Sequence, residues 1–127
     1  GIATCVIRRS AFSSPQEHRD AVFAEVERSG AKVVVMGGYL QHLLIPDAYL
    51  GRVINIHPSL IPSFCGQGFY GLKVHQAAID YGVKLSGCTV HFVDNQYDHG
   101  PVILQRACDV LECDTAQTLA SRVFQLE

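Results

Sequence analysis

Arg52-Val-Ile-Asn-Ile-His-Pro-Ser-Leu-Ile-Pro62 carries an apolar strand directly into an amide, an imidazole and two prolines. A buried strand that ends in polar side chains held by rigid turns presents those groups at a sheet edge. Pro58 fixes its own φ and biases His57 toward an extended backbone, so the direction of the imidazole is largely preset. Asn55 and His57 are two residues apart and project from one face of an extended chain. An amide donor and an imidazole then address one small volume, an arrangement suited to a developing oxyanion. The plainer alternative is a satisfied structural histidine, since an isolated Asn-x-His is frequent by chance. The rest of the chain has to decide between them.

Upstream, Lys32–Met36 contains three successive valines, the pattern of a strand buried on both faces, and Gly37-Gly38 ends it. Ile2–Ile7 reads as a shorter strand. Between them Ser14-Pro15-Gln16-Glu17 forms a capping box with proline at the first helical position, Val22 and Val26 face the core, and Gly30 sits at the C-terminal cap. Strand, helix and strand make one βαβ unit. Downstream, the loop from Ser63 to Gly71 holds three glycines and three aromatics, an unusual composition for a connection. Val74, Ala77, Ala78 and Tyr81 then recur at helical spacing and Gly82 closes the run. Leu85–Val93 predicts a strand with Pro101–Val110 as its antiparallel partner. Asp114-x-x-Gln117 opens a last helix with Ala116, Leu119, Ala120 and Val123 on one face. The expected fold is α/β: a Rossmann-like, mostly parallel sheet with helices on both faces and an antiparallel edge. Ligands gather outside the carboxyl ends of such strands. Gly37-Gly38-Tyr39, Asn55-Ile56-His57 and the loop after Val93 all fall at strand ends, the first two on the same edge.

Bulk properties narrow the function classes. A chain of 127 residues with 48% apolar and 17% charged content suits one globular domain with a real core. The formal net charge is -2 and no basic stripe is present, which argues against nucleic acid as a partner. No apolar run approaches the length of a membrane span, so no membrane role is expected. The five cysteines, Cys5, Cys65, Cys88, Cys108 and Cys113, are odd in number and include no Cys-x-x-Cys. They indicate neither a disulfide framework nor a zinc site. Cys5 and Cys88 read as small core hydrophobes, and a reducing, cytoplasmic compartment follows. His18, His42, His75 and His99 show no ligand spacing, so no metal is expected.

The segment Asp94-Asn-Gln-Tyr-Asp98-His-Gly-Pro101 lies between two strands and holds two carboxylates. An aspartate reaching His57 from this loop would favour the protonated ring and fix it. On local sequence alone, a turn in which Asp98 caps backbone donors is the preferred reading. His91, in strand register with Thr89 and Val93, reads either as a group supporting the site or as a satisfied core histidine, with the second favoured.

Asn55-Ile-His-Pro-Ser-Leu-Ile-Pro62, then Val90-His-Phe-Val93, then Asp98-His-Gly-Pro-Val-Ile-Leu-Gln105 strongly resembles the phosphoribosylglycinamide formyltransferases, over almost the whole chain. The resemblance implies transfer of a formyl group from 10-formyltetrahydrofolate to the amine of glycinamide ribonucleotide in purine biosynthesis. It implies His57 as general acid, Asn55 as oxyanion donor and Asp98 as the residue that raises the histidine's pKa. The stretch Gly38–Leu43 resembles the family's pterin-binding segment, giving Leu40, Gln41, His42 and Leu43 as folate contacts through backbone groups. Asp94, Asn95, Gln96 and Tyr97 resemble the other pterin wall, and the resemblance implies Asn55 as a further folate contact. Related formyltetrahydrofolate hydrolases tend to carry a second histidine where this chain has Pro58, so Pro58 points to the amine acceptor over water. Glu127 resembles an acidic residue near the substrate ribose. The aromatic insertion Cys65–Tyr70 resembles a longer-loop branch of the family and has no assigned role.

The family's opening strand and glycine-rich phosphate loop are not found here, nor is its structure after Glu127. The expected organisation is therefore one formyltransferase domain, 1–127, incomplete at both ends. Two alternatives are a formyltetrahydrofolate hydrolase and a folate-binding fragment without turnover. The partners implied are small molecules, and nothing in the sequence sets an oligomeric state.

Overall fold

The first helix begins and ends on its predicted caps in a computed structural model that describes residues 1–127. Ser14 Oγ accepts the Glu17 backbone N–H at 3.1 Å, Pro15 is the first residue of α1 (Pro15–Ser29), and Gly30 closes it at φ 71°. The return bond of the capping box is shifted by one residue, since the Ser13 N–H, not that of Ser14, donates to Glu17 Oε2 at 2.9 Å. Such caps are worth about 1 kcal/mol each and satisfy N–H groups the helix cannot.

Strands β1 (Val34–Met36) and β2 (Val53–His57) pair in parallel, with Met36 opposite Asn55. Strand β3 (Leu85–Phe92) runs antiparallel to β2, and β4 (Val102–Asp109) antiparallel to β3, in the order β1-β2-β3-β4. The crossover from β1 to β2 contains no α-helix, only a 3-10 turn at Asp47–Tyr49. It earns its place by burial instead: Leu43, Ile45 and Tyr49 pack with Phe23 of α1 and Val53 of β2 into one core cluster. Helices α2 (Leu72–Tyr81) and α3 (Ala116–Phe124) cover the opposite face, where Ala78, Cys88, Leu119 and Val123 pack against Ile56. Helices therefore lie on both faces, and Asn55 and His57 share the face on which α1 packs.

Several sequence expectations need correction. The α/β class holds, but the sheet is mixed, with one parallel and two antiparallel pairings. Ile2–Ile7 forms no strand: it pairs with neither free edge of the sheet, Ile2 and Val6 are exposed, and the first βαβ unit is not formed. Cys5 is exposed for the same reason, whereas Cys88 is buried as expected. Val33 and Val35 are also exposed, because nothing packs over that side of β1. On α2, Tyr81 lies outside the apolar stripe and His75 is buried beside Val74 and Ala78. The N-cap of α3 is Thr115, in a reciprocal box with Thr118, one residue after the expected Asp114.

Asp114 has a different task. Arg122 donates to it through Nη1 at 2.6 Å and Nη2 at 2.9 Å, and Leu111 N–H at 2.8 Å and the Thr118 hydroxyl at 2.8 Å also donate to it. Arg122 first, then the Leu111 amide, holds the carboxyl well below the usual range. A carboxyl whose folded pKa is depressed adds stability that is present above the unfolded value of about 3.9 and lost as pH falls through the folded value. Urea midpoints measured from pH 7 to pH 2 should fall on acidification, and Asp114→Asn should remove part of that fall. Equal pH dependence in the two proteins would refute the assignment. Leu119, fully buried, should cost about 2–5 kcal/mol when cut to alanine, read from the same denaturation curves.

Candidate active site

Register brings the first two polar groups together. Asn55 is the cross-strand partner of His91, and His57 that of Thr89, so Asn55, His57 and His91 occupy one face. A β-bulge follows opposite His91, where β4 skips from Leu104 to Val102. Bulges next to sites re-aim side chains. The connection from β3 to β4 doubles back over this face and delivers Asp98, held at φ 48° in the left-handed region. A non-glycine residue there carries strain of about 1–3 kcal/mol, which persists only where surrounding contacts overdetermine it.

Those contacts are visible. Asp98 Oδ2 accepts the Gly66 backbone N–H at 2.9 Å and lies 3.5 Å from His57 Nδ1, while Oδ1 is 3.8 Å from His91 Nε2. Both sequence readings of Asp98 are therefore realised: it caps a backbone donor and it faces the histidine. His57, 5% exposed, donates from Nε2 to the Phe64 carbonyl at 2.9 Å. Both ring nitrogens thus face oxygen atoms, Nε2 the Phe64 carbonyl and Nδ1 the Asp98 carboxylate. The 3.5 Å separation is too long for a good hydrogen bond, so the Nδ1 edge of the ring is not closed off from the cavity.

His91 is the group that sequence reasoning undervalued. It is buried, and its Nδ1 lies 2.9 Å from the Phe92 carbonyl. That bond takes the Nδ1 proton and leaves Nε2 to accept from Asn55 Nδ2 at 3.3 Å. The Asn55 amide is so fixed in orientation, with its second N–H unused by the protein. The signal was present in Val90-His-Phe-Val93, but it became meaningful only through the pairing of His91 with Asn55.

A cavity of about 520 Å³ is lined by Asn55, His57, Pro58 and Asp98, by Gly66–Gly71, and by Tyr39, Leu40, Tyr97 and Glu127. Burial raises the Glu127 carboxyl above its ordinary value, with the neighbouring His57 charge opposing. Burial likewise raises the Cys65 thiol, aided by Asp98, and lowers the His75 imidazole, aided by His57. A second cleft, about 60 Å³, lies between the two expected pterin walls and shares Tyr39, Asn55, Tyr97 and Asp98 with the first. Its lining includes Gln41, His42, Leu43, Asp94 and Gln96, over an apolar floor of Met36 and Val93. Leu40 lines the main cavity instead. Asn95 lines neither: its Oδ1 accepts Ile45 N–H at 2.7 Å and its Nδ2 donates to Ile45 O at 3.2 Å, which ties the walls together. At Asp94, burial acts to raise the carboxyl, but bonds from His99 and the Gln96 amide hold it below its ordinary range. His42 and Tyr97 rings meet across the cleft at 4.8 Å. The cleft as it stands is smaller than the roughly 300 Å³ at which ligand pockets start. No group of metal-ligating side chains is present.

The arrangement matches a known family over its whole length. The family model described as Formyl transferase matches residues 1–127. The chain belongs to the formyl transferase family. Among curated relatives, it is 49% identical over 98 residues to the chloroplastic phosphoribosylglycinamide formyltransferase of Vigna unguiculata, covering 74% of this chain and 31% of that protein. To the phosphoribosylglycinamide formyltransferase of Escherichia coli it is 36% identical over 126 residues, covering 97% of this chain and 57% of that one. The crystal structure of the Brucella melitensis phosphoribosylglycinamide formyltransferase superposes with a TM-score of 0.83 at 44% identity, covering 98% of this chain and 62% of that chain. The chain thus spans less than two thirds of the length of each.

The loop that carries Asp98 returns through Gly100, where a Cβ would collide with the Phe92 carbonyl. Gly100→Ala should therefore cost about 1–3 kcal/mol of stability. Gly37→Ala, with open space around it, should stay within about 0.5 kcal/mol of the parent. Equal denaturation midpoints for the two variants would contradict this close approach.

Proposed function

We propose that this protein transfers the formyl group of 10-formyltetrahydrofolate to the amine of glycinamide ribonucleotide, a step of purine biosynthesis. The observation that carries the reading is the convergence of Asn55, His57 and Asp98 on one cavity, at 3.5 Å between the imidazole and the carboxylate. The names of the relatives support the same chemistry.

The residues divide the work as follows. The substrate amine attacks the formyl carbon, and the tetrahedral intermediate carries a negative oxygen and a positive nitrogen. The free N–H of Asn55 and the His57 imidazolium donate to that oxygen, each such donor being worth about 3 kcal/mol. Asp98 holds the ring and takes part in moving the proton from the attacking nitrogen to the folate nitrogen, whose bond to the formyl carbon then breaks. Tetrahydrofolate leaves as a neutral amine. The pterin would lie between Gln41–Leu43 and Asp94–Tyr97, with Asn95 bracing both walls, and Leu40 and Glu127 would flank the acceptor side. Pro58 beside His57 leaves no second imidazole there to activate water, which supports an amine acceptor over hydrolysis.

Five unpaired cysteines support a reducing compartment, and we place the protein in the cytoplasm. No helix is long and apolar enough to cross a membrane. The partners on this reading are the two small-molecule substrates.

Steady-state turnover with both substrates tests the assignment. His57→Ala and Asp98→Asn should each lower kcat at least about 10²-fold, the low end for acid–base groups. Near-parental rates in either variant would sink the mechanism. Formate released at an equal rate without glycinamide ribonucleotide would make the protein a hydrolase instead.

A further inference from the structure

The aromatic loop before α2 touches both members of the acid pair through its backbone. The Phe64 carbonyl accepts from His57 Nε2 at 2.9 Å. Two residues on, the Gly66 N–H donates at 2.9 Å to Asp98 Oδ2, the same oxygen that faces His57 Nδ1. The four groups close a ring: imidazole, Phe64 carbonyl, Gly66 amide, carboxylate. We propose that Phe64–Gly66 is a backbone clamp that positions His57 and Asp98, which makes Gly66 a positioning residue of the reaction. The proposal rests on the formyl-transfer reading above.

The clamp requires unusual backbone. Phe64 has φ 48° and Gly66 φ 93°, both in the left-handed region. A phenylalanine held there is strained, and its surroundings hold it. Its ring centroid lies 6.5 Å from that of Phe69 and 6.0 Å from that of Tyr81, beside the α2–α3 core. The Ser59 hydroxyl donates to the Ser63 carbonyl at 2.6 Å and the Cys65 thiol to the Pro62 carbonyl at 3.3 Å, which fixes the approach to the loop. Helix capping does not explain this geometry, because Gly66 lies five residues before Gly71, the N-cap of α2. Nor does crowding at Gly66, where an added Cβ would meet nothing within 4 Å. What Gly66 supplies is the positive φ that aims its amide at Asp98.

With Nε2–H committed to a neutral carbonyl, Nδ1 is the nitrogen left for the carboxylate and the cavity. The clamp thereby selects which edge of His57 does chemistry. It also gives the glycine- and aromatic-rich segment a reason for its composition.

Two measurements on the whole enzyme test this. Gly66→Ala disturbs φ without a clash inside the protein, its methyl meeting no atom within 4 Å; it should lower kcat at least about tenfold while leaving both KM values within about twofold, as expected for a loss confined to the transition state. In an Asp98→Ala background the same change should cost less than about twofold, because the group it positions is gone. A kcat within twofold of the parent, or a penalty that adds in full to Asp98→Ala, would overturn the clamp. The second measurement needs no turnover and no Gly66 variant. The Gly66 amide proton should resonate downfield in the parent and move upfield in Asp98→Ala; an unchanged shift refutes the bond. Parental turnover in Asp98→Ala together with a moved amide shift would instead refute the formyl-transfer mechanism and leave the clamp standing.

Discussion

Strand β2 is hydrogen-bonded on both edges, and every functional feature depends on that placement. Its parallel pairing with β1 sets the crossover that supplies one wall of the site. Its antiparallel pairing with β3 puts His91 opposite Asn55 and turns the following loop back over the same face. A slip of one residue would move Asn55 and His57 to the face covered by α2 and α3, since side chains alternate with period two. Val53, fully buried against Phe23 and Tyr49, opposes such a slip. Core packing at one end of a five-residue strand thus fixes the register of polar groups at the other.

The polar groups themselves are held by irregular backbone. Asp98 and Phe64 both sit in the left-handed region without being glycine, and each offers a group to His57. Strain of this sort is distributed: a packed phenylalanine ring, a serine hydroxyl on a carbonyl and a bulge opposite His91 all contribute to holding it. The proposed chemistry needs such preorganisation, because donors already aimed at a forming oxyanion need not reorganise during reaction.

Much of the fold was legible in the chain. Ser14, Pro15 and Gly30 bound α1 because capping is local chemistry, and Gly82 closes α2 for the same reason. The β3–β4 hairpin followed from two apolar runs separated by a short polar loop. Ile2–Ile7 and Val33–Val35 misled because apolar content reports what a segment could bury, not whether a neighbour covers it. The parallel share of the sheet was overestimated, since strand sequences do not state their direction. In the site, Asn55, His57 and Asp98 were identifiable as candidates, whereas His91 and Gly66 were not. Histidine behind a site looks like any core histidine until its cross-strand partner is known, and a backbone amide has no letter in the sequence.

By itself the sequence determined the helices, the caps of α1, the end of α2 and the family, because each depends on residue type and short spacing. Motif order along Asn55–Pro62, Val90–Val93 and Asp98–Gln105 was enough to name that family, and the match extends over the whole chain. Tertiary structure alone decided which polar groups meet. The contacts of Asp98 with His57 and Gly66 join positions 41 and 32 residues apart along the chain, and the ion-pair and hydrogen-bond distances that define them exist only after the sheet has closed. Those separations carry no local signal, because such contacts depend on loop closure and register rather than on any propensity of the residues involved.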